Sequence, residues 1–208
     1  QLEETLPLES MYGKYWYRSG TNDTMKGKLK DVAESCLSSV SMDDGDVFLD
    51  IACNDGTMLG YVPDNIIKVG IDPADDSFLE ESRTRADEVV QDFFSAESYK
   101  KTKYGSISPK IITTIAMFYD LDKPLPFAED VKEILHDDGI WVLQLSYTPL
   151  MIKQLAFDNI CHEHICYYSL ESIKYLMDKV GFDIVDCILD DVNGGSFRIY
   201  LMKSEADK

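Results

Sequence analysis

Short apolar runs that stop at turn-rich segments, with helix-length stretches between them, constrain this chain most. Residues 47–51 read Val-Phe-Leu-Asp-Ile and lead straight into Ala52-Cys53-Asn54-Asp55-Gly56. A short, mostly apolar run closed by turn residues reads as a strand buried on both faces, as in a parallel sheet. Comparable runs occupy residues 66–71, a segment ending near Val90, 110–117 and 139–145. From Thr24 onward, Met25, Leu29, Val32, Ala33, Cys36, Leu37 and Val40 follow helical spacing, with Asp23 or Thr24 as N-cap. A further helix is predicted over 127–135, where Phe127, Val131, Ile134 and Leu135 share a face. Strands alternating with helices predict an α/β fold with a doubly wound, mostly parallel sheet and helices on both of its faces.

The C-terminal stretch breaks the alternation. A helix over 170–180 carries Leu170, Ile173, Leu176, Met177 and Val180 on one face and stops at Gly181. Runs at 182–189 and 196–202 flank the turn Asp190-Asp191-Val192-Asn193-Gly194-Gly195. Two strands so closely joined should pair antiparallel. The expected sheet has seven strands, with 196–202 antiparallel and lying between its two neighbours.

The chain has 208 residues, enough for one α/β domain with a full core, and is read as a single domain over 1–208. It opens on Gln1 rather than methionine, so a piece of a longer chain is expected. No stretch approaches the roughly 20 apolar residues of a membrane span, and no signal-peptide pattern opens the sequence. Neither a membrane nor a secretory route is expected. The formal net charge of −18 disfavours a nucleic acid partner, because such affinity rests on Lys and Arg neutralising phosphates. Lys100, Lys101 and Lys103 form the nearest approach to a basic cluster and read as a solvated helix end. Five widely spaced cysteines fit a reduced, cytoplasmic protein better than a disulfide scaffold.

In open α/β sheets ligands bind beyond the carboxyl ends of the strands. The loop after the first strand, residues 50–57, has one glycine where a dinucleotide fingerprint needs three, and it lacks a phosphate-binding Gly-Lys-Ser/Thr. Its acids, Asp50 and Asp55, would repel phosphates. Such a loop suits a ligand bearing an ammonium and a sulfonium, which describes S-adenosylmethionine. Asp72, at the end of the second strand, can accept both ribose hydroxyls. Asp92, after the third, can accept from an adenine amino group while Phe93 or Phe94 packs on the ring. Aspartates also end strands for structural reasons alone. Three at successive strand ends, beside this loop, favour the adenosyl reading.

Five segments together carry a resemblance. They are residues 47–57, Asp72-Pro73, Tyr17-Arg18-Ser19-Gly20-Thr21-Asn22, residues 157–164 ending in His162-Glu163-His164, and Gly194-Gly195-Ser196-Phe197-Arg198. They resemble the sugar C-methyltransferase family, which includes enzymes that methylate carbon 3 of nucleotide-linked 4-keto-deoxysugars. The resemblance runs through nearly the whole chain. It implies a class I methyltransferase Rossmann-like fold, S-adenosylmethionine as cofactor with S-adenosylhomocysteine as product, and a small-molecule acceptor, a nucleotide-linked sugar. Relatives often carry an N-terminal four-cysteine zinc domain and a further C-terminal domain, so this chain resembles their central catalytic domain. By the same resemblance residues 1–23 form an arm over the cofactor. Tyr17 and Arg18 cover its methionine end, with Arg18 able to hold a carboxylate as a bidentate pair. The aromatics Tyr12, Tyr15, Trp16 and Tyr17 also read as an arm packed on the sheet. Ala52, Asn54, Gly56 and Pro73 belong to the cofactor loops, together with Asp50, Asp72, Asp92 and Phe93. His164 matches the base of characterised relatives and Glu163 its assistant. The sequence departs at Cys161, where those relatives place a tyrosine. Tyr119, Tyr147, Tyr167 or Tyr168 are candidates for the missing phenol.

Methylating carbon needs a carbanion equivalent, and a neutral imidazole can remove an acidic C–H beside a ketone near pH 7. His164 is read as that base, Glu163 as orienting an imidazole or binding a sugar hydroxyl, and His162 as stabilising the enolate oxygen. In an extended segment His162 and His164 would share a face, with Glu163 opposite. Other readings stand beside this one. The histidines can be core or cap residues. Cys161, His162, His164 and Cys166 can be considered as zinc ligands, but four ligands within six residues cannot easily surround one ion tetrahedrally, so no metal is expected. Cys161 as a nucleophile ranks low, because methyl transfer from a sulfonium needs no covalent enzyme intermediate. O- or N-methylation of a small metabolite, or a cofactor-binding domain without its own turnover, are the competing functions.

Overall fold

The structure, a computed structural model, describes residues 2, 17–191 and 194–205. Among the described residues, thirteen α-helices and β-strands follow in chain order: α1 (Asp23–Ser39), β1 (Val47–Ile51), β2 (Ile67–Ile71), α2 (Asp76–Arg83), β3 (Glu88–Val90), α3 (Ala96–Lys100), β4 (Ile111–Ile115), α4 (Pro124–Ile134), β5 (Ile140–Ser146), α5 (Thr148–Gln154), α6 (Leu170–Val180), β6 (Phe182–Asp190) and β7 (Ser196–Lys203). The seven strands form one sheet in the order β3-β2-β1-β4-β5-β7-β6. The first five strands pair parallel, and β7 pairs antiparallel with both β5 and β6. This is the expected class I plan, with the last strand inserted between its neighbours.

Side-chain alternation along the strands builds two cores. Val47, Leu49 and Ile51 of β1, Trp141, Leu143 and Leu145 of β5, and Phe197, Ile199 and Leu201 of β7 enter one core with α4 and α6. Phe48, Ile140, Val142 and Tyr200 point the other way and meet Leu29, Val32, Ala33 and Cys36 of α1. Successive strand residues face opposite sides, so an uninterrupted apolar run obliges helices to cover both faces.

Several boundaries differ from the sequence reading. The N-cap of α1 is Asn22, whose side chain accepts from the Met25 N–H at 2.7 Å, one residue before the expected Asp23. Strand β4 stops at Ile115 rather than running to residue 117, because Ala116 turns to φ 55°. Helix α4 begins at Pro124, three residues earlier than expected, since proline suits a first helical turn. Helix α6 keeps its expected bounds. Ser169 and Ser172 cap it reciprocally and Gly181 ends it in a left-handed conformation. Lys100 ends α3 and Lys101 caps it, as expected. Of the expected β6–β7 turn, Val192 and Asn193 lie outside the described residues, as do Tyr12, Tyr15 and Trp16 of the arm.

Candidate active site

A cavity of about 420 Å³ opens over the carboxyl ends of β1, β2 and β4 and extends to His164. That size is within the ordinary range for small-ligand sites, roughly 300–1,000 Å³.

The loop leaving β1 makes one end. The Ala52 N–H continues the ladder by donating to the Ile71 carbonyl at 2.8 Å, and the chain then turns through Ala52 (φ 62°) and Asn54 (φ 51°). That turn aims the Asn54 N–H at Asp72 Oδ2, 2.8 Å away, while the Ala74 N–H donates to Asp72 Oδ1 at 2.8 Å. Asp72 is therefore fixed in one rotamer at the cavity wall. Each carboxylate oxygen keeps a further lone pair for a ligand hydroxyl. Burial pushes its pKa up, and the two backbone donors work against that rise. Asp50 lies deeper. Its carboxyl accepts from Thr113 Oγ1 at 2.8 Å, and desolvation pushes its pKa up to about 8. Near neutral pH a cation placed beside it would return it to the charged form.

Asp55 has a different task from the one expected of it. It is buried, accepts from the Gly20 N–H at 2.7 Å and the Thr57 N–H at 3.0 Å, and lies 3.7 Å from Arg85. It ties residues 19–20 to the loop and does not line the cavity. Asn54 completes the tie, with its amide donating to the Tyr17 carbonyl at 2.9 Å and its oxygen accepting from the Ser19 N–H at 3.1 Å. The described part of the arm thus sits on the β1 loop, and Tyr17 and Ser19 reach the cavity wall.

Not every residue singled out in the sequence comes to this wall. Tyr17, Asp50, Ala52, Asn54, Asp72, Pro73, Phe93 and His164 do, and Phe94 joins them. Gly56 (φ 71°) does not. A side chain there would meet Ser82 Cα at 2.8 Å, so the single glycine admits α2 against the loop. Arg18 is turned onto α2, donating to Glu81 and to the Ser77 carbonyl at 2.7 Å, with its guanidinium 4.6 Å from the centre of the Phe78 ring. Asp92 is exposed, and its carboxylate accepts from the Phe93 N–H at 2.8 Å.

The other end holds His164. Its Nδ1 lies 3.0 Å from the Asn159 carbonyl, and its ring packs on Tyr119 at 4.2 Å between centroids. Burial lowers the imidazole pKa, while the Asn159 bond and the Glu163 charge oppose the shift. The expected pairing of His162 and His164 on one face is not seen. Residues 161–163 bend rather than extend, and the Ile165 N–H donates back to the Glu163 carbonyl at 3.1 Å. His162 is consequently exposed, and neither it nor Glu163 lines the cavity. Among the described residues no group of three or more His, Cys, Asp and Glu is placed to hold a metal. Of the four tyrosines considered for the missing phenol, Tyr119 alone lines this cavity.

Sequence reasoning missed Met117, Asp120 and Asn159, all on the wall. The first two follow the end of β4, and the strand-end rule that picked out Asp72 would have picked them out too.

Residues 24–186 match the methyltransferase domain family. The chain belongs to that family. This methyltransferase domain is 24% identical over 209 residues to the C-methyltransferase NovU of Streptomyces niveus. The alignment takes in 99% of this chain and 49% of that protein, so the chain spans about half the length of the curated relative it matches. Among solved structures it is similar to the plantazolicin methyltransferase BpumL in complex with a desmethylPZN analog and SAH, at 10% identity and a TM-score of 0.66, over 89% of this chain and 87% of that one. It is also similar to the magnesium protoporphyrin IX methyltransferase of Synechocystis PCC 6803 with bound SAH, at 10% identity and a TM-score of 0.64, over 90% of each chain. The N-methyltransferase NodS of Bradyrhizobium japonicum matches at 11% identity and a TM-score of 0.64, over 89% of this chain and 99% of that one. At such identities these structures speak for the fold, and their activities differ from one another.

Two of these similar structures hold SAH, the product form of S-adenosylmethionine. The cavity fits that group. A carboxylate pinned by two backbone donors faces it, a buried carboxyl able to take a cation lies beneath, and Phe93 and Phe94 offer ring surfaces. Among the described residues, no helix is long and apolar enough to cross a membrane.

Proposed function

We propose that this domain methylates a carbon beside a ketone, on a nucleotide-linked keto-deoxysugar or similar carbohydrate, with His164 as the base. The observation that carries the reading is the contact between His164 Nδ1 and the Asn159 carbonyl at 3.0 Å. A carbonyl only accepts, so Nδ1 must hold the proton, and the neutral ring keeps the lone pair of Nε2 free. The lowered pKa keeps that lone pair available below the usual histidine range. A nitrogen in this state suits removal of a C–H proton made acidic by an adjacent carbonyl.

When bound, S-adenosylmethionine supplies a methyl group carried on a positively charged sulfur. Asp72 accepts hydrogen bonds from the ribose hydroxyls, and Asp50 offers a charge that a cation can call up. Ala52, Asn54 and Pro73 shape the cradle, Phe93 covers a ring face, and Tyr17 closes the cavity from the arm. Glu163 acts on His164 through its charge. The resemblance to a C-methyltransferase along 99% of the chain supports carbon as the acceptor atom.

The test is proton exchange. In deuterated water without cofactor, the wild-type domain should place deuterium on the carbon beside the ketone of an accepted sugar, and His164→Asn should not. An acceptor that the domain methylates yet never exchanges would point instead to O- or N-methylation.

A further inference from the structure

The Gly194-Gly195 pair is unused by the reading above, yet it touches the segment that holds the base. Gly194 (φ 77°) lies against residues 156–159. A Cβ built there would meet Ala156 Cβ at 2.7 Å and Asn159 Nδ2 at 3.1 Å. Gly195 (φ 109°) lies against α5, and a Cβ there would meet Leu150 Cβ at 2.5 Å. Both the positive φ and the missing side chain are therefore required at this seam. The seam is also fastened by polar contacts. The Tyr147 N–H donates to the Gly195 carbonyl at 3.0 Å, and Ser146 Oγ donates to Asn159 Oδ1 at 3.3 Å. Asn159 is only 6% exposed, and its carbonyl is the partner of His164 Nδ1.

We propose that Gly194 and Gly195 are positioning residues for His164: they keep open the seat into which Ala156 and Asn159 pack, and that seat fixes the carbonyl that selects the His164 tautomer. The chain of contacts runs from the start of β7, through the Asn159 side chain, to the Asn159 carbonyl and on to the imidazole. A side chain at 194 pushes the Ala156–Asn159 turn away and withdraws the carbonyl. Released from that acceptor, an imidazole in water favours the proton on Nε2, the nitrogen that has to be bare. The consequence is a misplaced proton rather than a lost fold. This inference rests on the reading of His164 as base, but its test does not.

The test uses nitrogen-15 NMR of the histidine rings. Three histidines, His136, His162 and His164, give a spectrum that single His→Asn variants assign. In the wild-type protein the His164 Nε2 resonance should sit in the unprotonated range and Nδ1 in the protonated range. In Gly194→Ala, thermal unfolding should still be cooperative and S-adenosylhomocysteine affinity should stay within about twofold, while the two nitrogens exchange roles or average. A folded Gly194→Ala protein that keeps the wild-type tautomer overturns the proposal. If that variant does not fold, Asn159→Ala removes the seated side chain without backbone strain and should give the same loss. An unchanged His164 pattern there overturns the proposal equally. An active His164→Asn enzyme would defeat the base assignment and leave the tautomer result standing, so the two failures are distinguishable.

Discussion

The two ends of the cavity are built in different ways. At the proposed cofactor end, Asp72 is gripped by the Asn54 and Ala74 N–H groups, in loops that continue directly from β1 and β2. Parallel strands in register deliver those loops to one place, and backbone donors do the fixing. At the proposed acceptor end, His164 depends on the Asn159 carbonyl, the Tyr119 ring and, behind them, the Gly194 seam. Those residues come from three stretches far apart in the chain, and side-chain packing does the fixing. The first end is a property of the sheet; the second is a property of loops laid on it. A binding function can thus be held constant while the reacting group beside it is exchanged.

If the ends are separable, substitutions at one should spare the other. The largest effect is expected from His164→Asn, a loss of about 10²–10⁴ in methyl transfer, with S-adenosylhomocysteine affinity changed less than about twofold by calorimetry. A joint loss of rate and affinity would break the comparison. The wild-type rate should also hold as pH falls through the usual histidine range and decline only below it, because burial lowers the His164 pKa and the base stays neutral. Next in size, Asp72→Ala should weaken cofactor binding by about 1.5–3 kcal/mol. The single-turnover rate at saturating cofactor should change far less.

Asp50→Asn sharpens the contrast through stability. Its folded pKa, about 8, stands above the ordinary carboxylate value, so the unfolded chain gives up this proton first. The wild-type protein is favoured by the neutral carboxyl below about pH 4 and loses that advantage progressively as pH rises toward 8. The asparagine variant should therefore match the wild type near pH 4 and melt higher at pH 8. A difference of 1 kcal/mol corresponds to about 2–4 °C for a chain of this size. The variant should also bind S-adenosylmethionine more weakly, with the deficit growing between pH 7 and 8 as the wild-type carboxyl ionises. The smallest effect belongs to Arg18→Ala. Arg18 is held by Glu81 and the Ser77 carbonyl outside the cavity wall, and a partly exposed pair of this kind contributes about 1 kcal/mol or less. Cofactor affinity should fall no more than a few-fold; a larger loss would mean that the guanidinium leaves α2 for the ligand's carboxylate.

The same division explains what could be read from the sequence. Strands β1, β2, β5, β6 and β7 were legible because apolar runs broken by turn residues leave few other choices, and the plan of the sheet followed from their order. The place of Asp72 on the cavity wall was legible because clefts open beyond the carboxyl ends of parallel strands. Asp55 was misread because composition cannot show that an acid is already engaged, here by Gly20, Thr57 and Arg85. His162 was misread because the bend at 161–163 depends on a local backbone bond that no periodicity announces. Asn159 escaped because its importance lies in what it touches across the chain, Ser146 and the Gly194 seam.

The insertion of β7 between β5 and β6 has a consequence for how the molecule is made. Among the described residues strand β6 reaches the sheet only through β7, so at the ribosome the parallel half can assemble while β5 stands as an open edge and β6 waits unpaired. Unpaired edges invite association with other chains. The strand of this sheet made last is the one that closes it, and it also leads out of the Gly194-Gly195 seam beneath His164. The proposed catalytic centre is therefore finished at the same moment as the fold, and a nascent chain stopped short of β7 would have a place for the cofactor before it had a seated base.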